Sequence, residues 1–267
     1  GKELASALTG VEFTVQSVDS KPYRRRPAAP FMTSTLQQEA SGRLGFSASR
    51  TMGAAQKLYE EGHITYMRTD STTLSADALS AARTLIRDRF GQDHLPADAR
   101  VYTKKVKNAQ EAHEAIRPAG DAWRNPADLG FKGDKADSDQ ARLYQLIWSR
   151  TIASQMNDAE GQTVTIRLAA SPSGSETYEF GTSGTVITSP GFLAVYGRQS
   201  DESNEEEREL PNLSEGDTVV ASSLESKDHQ TKPPARYTEA TLVRRLEELG
   251  VGRPSTYASI LGTIQSR

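Results

Sequence analysis

The 267-residue chain contains no cysteine, which excludes disulfides, thiolate metal sites and a cysteine nucleophile together. Histidine is almost as scarce: His63, His94, His113 and His229 are scattered at spacings that match no zinc-ligand pattern. No apolar run approaches the length of a membrane span, and the opening Gly1-Lys2-Glu3-Leu4-Ala5-Ser6 lacks a signal-peptide pattern. A cytoplasmic protein with no membrane partner is therefore expected. With 36% hydrophobic and 25% charged residues, the composition is that of an ordinary globular chain, long enough for one large domain or two to three small ones.

Charge is also lacking in net, at −3, but it is unevenly placed. Residues 21–60 hold seven basic and two acidic side chains, whereas residues 201–228 hold ten acidic and two basic. The basic stretch leads into residues 60–75, where a polyanion would find it; the Arg24-Arg25-Arg26 run reads equally well as a solvated loop or as a phosphate contact. The acidic segment reads as a loop and carries no site.

Residues 11–18 alternate apolar and polar and predict a strand, which the proline-rich Lys21–Pro30 is expected to end. Helices are predicted from Thr33 to Ala40, from Thr51 to Gly62 with Met52, Ala55, Leu58 and Tyr59 on one apolar face, and from Ser75 to Phe90. The Gln110–Ile116 segment places His113 and Arg117 one helical turn apart, although Pro118 favours an extended Arg117. Asp137 and Asp139 precede the periodic Leu143, Leu146, Ile147 and Trp148, and read as helix-start carboxylates. After Asn157 come short β-rich runs at 163–169, 177–180, 185–188, 192–196 and 217–224, with hairpin turns expected at 171–176 and 181–184. Helical texture returns after Lys232-Pro233-Pro234. There Pro254, Ser255 and Thr256 open a helix whose first N–H groups suit an anion, and Tyr257 suits either that site or the apolar stripe it begins.

A lone strand at the N-terminus cannot bury its apolar face, so residues 1–28 are expected to pair with 151–232 in one discontinuous all-β domain. A mainly helical domain, 29–150, is then inserted in it, and 233–267 begins a truncated helical domain. The fold class is multidomain α and β.

The densest chemistry lies in residues 60–75, Glu-Glu-Gly-His-Ile-Thr-Tyr-Met-Arg-Thr-Asp-Ser-Thr-Thr-Leu-Ser. In an extended segment Tyr66 and Arg68 point the same way and Thr65 and Met67 the other. A phenol, with an ordinary pKa near ~10, is a poor nucleophile unless its phenolate is stabilised. A neighbouring guanidinium would stabilise it and grip a phosphate, with Asp70 orienting Arg68. A Tyr-x-Arg pair by itself is weak evidence.

The wider run Tyr-Met-Arg-Thr-Asp-Ser resembles the active-site signature of bacterial type IA DNA topoisomerase I. Three further stretches extend the resemblance over residues 30–258: Pro30-Phe31-Met32-Thr33-Ser34-Thr35-Leu36-Gln37-Gln38-Glu39, Ala112-His113-Glu114-Ala115-Ile116-Arg117-Pro118 and Arg253-Pro254-Ser255-Thr256-Tyr257-Ala258. The resemblance implies an arch-shaped enzyme in which Tyr66 cleaves one DNA strand through a 5′-phosphotyrosine, passes another strand and reseals the first, relaxing negative supercoils without ATP. It assigns catalysis to Tyr66 and Arg68, support to Thr65, Asp70 and His113, and DNA contact to Arg117, Arg253, Ser255, Thr256, Tyr257 and Arg267. It implies single-stranded and underwound DNA as partner, in the bacterial nucleoid, together with the remainder of the same enzyme. It also implies Mg2+ for the complete enzyme, held by an acidic D-x-D-x-E cluster. Residue 141 is alanine, so Asp137 and Asp139 do not form that cluster; the metal ligands and their N-terminal domain are expected outside this chain. The chain alone is then expected to be inactive in relaxation. The rival readings are a non-catalytic single-stranded DNA-binding module and another tyrosine transesterase.

Overall fold

The computed structural model describes residues 1–102, 114–121, 123–129, 139–172, 176–197 and 210–267. The chain divides into two units, one of Gly1–Arg25, Asp158–Pro190 and the described part of Arg198–Ala235, the other of Arg26–Asn157, Gly191–Gly197 and Arg236–Arg267.

The first unit is an antiparallel sheet of four strands, β1 (Glu12–Arg25), β2 (Ala159–Ala170), β3 (Tyr178–Ser189) and β4 (Thr218–Val220), in the order β3-β2-β1-β4. A short helix α1 (Lys2–Leu8), which the sequence reading did not anticipate, lays Leu8 beside Phe13 and Ala170. Phe13 meets Phe180 edge-on, with ring centroids 5.3 Å apart. β1 does not stop at the prolines: it pairs with β2 as far as Arg25, with Pro22 opposite Gln162. β4 covers only Glu12–Thr14 of its other side, so Pro22 lies where β1 has become an edge strand and a missing N–H costs little. The Gly181–Gly184 stretch is likewise no hairpin turn. It runs straight through β3, opposite Arg167 to Val164, and the hydroxyls of Thr163 and Thr185 meet across the ladder at 3.3 Å.

The second unit is helical: α2 (Thr33–Leu44), α3 (Ala48–Glu60), α4 (Ala76–Phe90), α5 (Asp139–Ser154), α6 (Glu239–Leu249) and α7 (Tyr257–Gln265). The starts follow local chemistry. Ser47 accepts the Arg50 N–H and Ser75 the Ala78 N–H, each satisfying an orphan donor of a first turn. Gly45 and Gly250 end α2 and α6 in the left-handed conformation. α5 is the central element, burying Leu143, Ile147, Trp148 and Ile152, and it continues to Ser154. Arg150 on α5 is ion-paired with Glu39 of α2 and lies over the Phe31 ring at 4.4 Å. The run 192–196, expected as a strand, is part of a short 3-10 turn, Gly191–Val195, whose Phe192 ring packs on Tyr196 in this unit. α6 and α7 pack against α2 and α3 around Ala48, Val243, Tyr257 and Leu261, and the Glu239 carboxylate accepts the Ala48 N–H at 2.7 Å. Among the described residues no helix is long and apolar enough to cross a membrane.

The β2–β3 ladder shifts register between Glu160 and Gly161. A Cβ at Gly161 would come within 2.1 Å of the Val186 carbonyl oxygen, so the bulge demands glycine there. Gly161→Ala is expected to destabilise the sheet by about 1–3 kcal/mol, read as a lower urea midpoint and faster amide exchange in β2 and β3.

Candidate active site

The chain leaves α3 through Gly62, at φ 72°, whose N–H donates to the Tyr59 carbonyl at 2.9 Å. It then continues through residues 63–70 with bends at His63, Thr65 and Met67 and an isolated antiparallel bridge between Ile64 and Pro118. One side of this segment is bonded to residues 115–119. Ala119 N–H donates to the His63 carbonyl and Thr65 N–H to the Arg117 carbonyl, each at 2.9 Å, while the Thr65 hydroxyl donates to the Ala115 carbonyl at 2.7 Å and accepts the Arg117 N–H at 3.0 Å. Further along, the segment is bonded to the first residue of α2. The Thr33 hydroxyl donates to the Met67 carbonyl (2.7 Å), lies 3.0 Å from the Thr69 carbonyl and accepts the Thr69 N–H (2.9 Å). Thr33 N–H donates to the Thr69 carbonyl at 2.9 Å, and Ile116 N–H to the Phe31 carbonyl at 2.7 Å. Met67 and Thr69 are buried.

With Met67 and Thr69 turned into the interior, Tyr66 and Arg68 on either side of Met67 stay outside. Tyr66 is 43% exposed, and Arg68 is exposed without an ion-pair or hydrogen-bond partner among the described residues. A phosphodiester strand lying along this face can meet a nucleophile and a cation together. Of the nine tyrosines, several are poorly placed to compete. Burial, partly offset by Arg124, pushes the Tyr144 phenol up to about 12, and its hydroxyl donates to the Arg124 carbonyl at 3.0 Å. Burial also raises Tyr196 and Tyr257.

Other expected site residues fall into different places. Asp70 makes no ion pair with Arg68. It lines a cleft of about 130 Å³ with Ser34, Thr69, Glu247, Arg253 and Tyr257, because the chain has by then reached the start of α2 and the α6–α7 turn. Arg117 is 8% exposed and is bonded into the framework. Its guanidinium donates to Glu114 (2.8 and 3.3 Å), to the Pro118 carbonyl (2.8 Å) and to the Gly120 carbonyl (3.1 Å). Pro118 accounts for this, since it holds Arg117 extended instead of on a helix turn. His113, like Asp137, lies outside the described residues.

Arg253 and Ser255 are exposed at the α6–α7 turn. The Thr256 hydroxyl is taken up locally, accepting the Arg253 N–H at 2.8 Å. Tyr257 belongs to the small core with Ala48, Val243 and Leu261, the second of its two expected places. Its phenol is raised by burial first, with Glu247 and Asp70 adding and Arg253 opposing. Arg267 is exposed beyond the far end of the nine-residue α7, about 14 Å along the axis from Thr256. The basic stretch is largely engaged in structure: Arg24 with buried Asp158 (2.6 Å), Arg43 with Glu39 (2.9 Å) and Arg50 with Asp139 (2.7 Å).

Sequence reasoning missed Thr33 and Glu114. Both lie inside the quoted motifs, but neither has a side chain that advertises chemistry. Glu114 accepts the Ser75 N–H at 2.7 Å besides pairing with Arg117, so one carboxylate ties the start of α4 to the segment that pins Thr65.

Comparisons with known proteins show which family the chain resembles. A family described as DNA topoisomerase matches residues 2–267. The chain is 56% identical over 269 residues to DNA topoisomerase 1 of Mycolicibacterium smegmatis, covering 99% of this chain and 28% of that protein. It is 56% identical over 270 residues to DNA topoisomerase 1 of Streptomyces coelicolor, covering 100% and 28%. The structure of full-length topoisomerase I from Thermotoga maritima superposes with a TM-score of 0.76 at 35% identity, over 99% of this chain and 42% of that one. The chain thus belongs to the bacterial type IA DNA topoisomerase I family. It spans 28% of the length of the two curated relatives.

Two predictions test the scaffold. Thr33→Val removes the hydroxyl that satisfies the Thr69 N–H and should cost about 1–3 kcal/mol of stability by denaturant titration. Burial opposes the Glu114 charge, but hydrogen bonds from Arg117 and Ser75 outweigh it and hold its pKa below the usual carboxylate value. The resulting stability is present above the ordinary Glu range and lost as pH falls through the lowered value. Melting temperatures of wild type and Glu114→Gln should therefore differ at about pH 7 and converge in acid, once the pH is below that lowered value.

Proposed function

We propose that this chain carries the strand-cleaving half of a type IA DNA topoisomerase, with Tyr66 as nucleophile. The observation that supports it most directly is the joint exposure of Tyr66 and Arg68 on a segment whose backbone is bonded to residues 115–119 and to Thr33. The Tyr66 hydroxyl loses its proton and attacks the phosphorus of a phosphodiester in single-stranded DNA. The new bond joins Tyr66 to the 5′ phosphate, the bond to the 3′ oxygen breaks, and that oxygen takes up a proton. Reversal reseals the strand. One phosphodiester is exchanged for another, so the bond energy is kept and ATP is not needed. Arg68 stabilises the phenolate and the charge on the phosphorane. Thr65 holds Tyr66 through the backbone, and Arg117 acts through Thr65.

Arg253, Ser255 and Thr256 line the approach of the strand, with His113 and Arg267 in the contact set that the family resemblance assigns. Tyr257 supports the turn from its core position. The helical domain inserted in a discontinuous β domain, the arch around a duplex and the opening of that arch are part of the same reading, as is action on chromosomal DNA in the bacterial cytoplasm. The Mg2+ requirement, which the family resemblance places in the remainder of the enzyme, is part of the same proposal, and none of the steps above runs through it.

A rival reading, a single-strand-binding module without chemistry, shares the salt-dependent binding but never forms a covalent adduct. This chain is expected to bind single-stranded oligonucleotide more weakly as salt rises and to leave supercoiled plasmid unrelaxed with Mg2+. The full-length protein should form a 5′-linked adduct that Tyr66→Phe abolishes. Robust relaxation by this chain, or an adduct that survives Tyr66→Phe, would sink the assignment.

A further inference from the structure

Tyr59 follows the helical spacing of Ala55 and Leu58, which places it on the apolar face of α3, yet its ring is 41% exposed. Its neighbour is Tyr66. The two ring centroids are 5.2 Å apart and the planes meet at 67°, the edge-to-face arrangement in which the positive rim of one ring faces the negative π surface of another.

The contact is built by the backbone on both sides. From α3, Gly62 turns the chain with its N–H on the Tyr59 carbonyl, and His63 N–H donates to the Leu58 carbonyl at 2.8 Å. Leu58, one residue before Tyr59, is fully buried and fixes the helix end. From the segment that follows, the Thr65 and Thr33 bonds fix the backbone on both sides of Tyr66. A helix end and a bonded loop thus deliver the rings to one place. On either side of Tyr59 along the helix surface, the Gln56 amide donates to the Glu60 carboxylate at 2.7 Å.

A half-exposed tyrosine without a neighbour visits several staggered rotamers. In-line attack on phosphorus requires the hydroxyl at one place, and the rate falls with every rotamer that puts it elsewhere. We infer that Tyr59 is a positioning residue for the nucleophile, its ring holding the Tyr66 ring at the tilt that aims the phenol oxygen at the incoming phosphate. The inference rests on the proposed role of Tyr66. Tyr59 itself takes no part in the bond changes, and its ring, not its hydroxyl, is what the role needs.

The test uses the full-length enzyme with Tyr59→Leu, Tyr59→Phe and, as reference, Tyr66→Phe. Each is measured for single-turnover adduct formation with a saturating single-stranded oligonucleotide, for oligonucleotide affinity by fluorescence anisotropy, and for melting temperature. Tyr59→Leu should slow adduct formation about three- to tenfold with affinity and melting temperature unchanged, and Tyr59→Phe should stay within about twofold of wild type. A wild-type rate in Tyr59→Leu overturns the inference, as does a loss that falls in affinity or melting temperature instead of rate. Equal slowing in Tyr59→Phe overturns it too, since the hydroxyl would then be the active part. Adduct formation by Tyr66→Phe would instead remove the underlying assignment, so the two failures are distinguishable.

Discussion

The bonds from Thr33 to the backbone of Met67 and Thr69 hold the reactive segment in place although it belongs to no sheet. Burying its backbone groups unpaired is costly. Here residues 115–119 serve one stretch and Thr33 the next. Thr33 is the first residue of α2, so its own N–H has no partner inside the helix; the Thr69 carbonyl supplies one. A helix start and a loop satisfy each other, with the side chains of Met67 and Thr69 buried and those of Tyr66 and Arg68 left at the surface.

The electrostatics follow from what the scaffold consumes. A chain this rich in arginine could present many cations to a polyanion, yet Arg24, Arg43, Arg50, Arg117 and Arg150 are engaged with Asp158, Glu39, Asp139 and Glu114. Arg117 and Arg150 are largely buried, where breaking a pair is far more damaging than an exposed pair is helpful. Arg68 differs because Met67 and Thr69 beside it face inward and leave it uncommitted among the described residues. In the proposed reaction, phosphate binding at Tyr66 then depends less on the local excess of basic residues than on Arg68 being left exposed beside it.

Much of this was legible in the sequence where local chemistry decides. The Ser75 cap, the glycine after α3, and the alternation of Tyr66 with Met67 needed no tertiary information. The reading went astray where a partner from far along the chain overrode a local signal. Pro22 and the glycines of β3 read as breaks, but pairing with β2 carries both stretches through. Phe192 and Tyr196 have the residue types of a strand, yet their rings belong to a 3-10 turn in the helical unit. Arg117 has the look of a phosphate ligand until Glu114 and two carbonyls are seen around it. Thr33 and Tyr59 were hidden for a different reason: a threonine at a helix start and a tyrosine at helical spacing have ordinary roles that their spacing cannot tell apart from special ones.

In the proposed reaction this chain's part is positioning more than activation. A guanidinium facing water interacts with a nearby phenol through a high dielectric and is worth little. The same pair would become strong if a bound strand excluded water from that face, because the dielectric would fall while the backbone bonded at Thr65, Met67 and Thr69 stays fixed. On that proposal the electrostatic strength of the site arises only with substrate bound, and the fixed backbone is what the scaffold contributes beforehand.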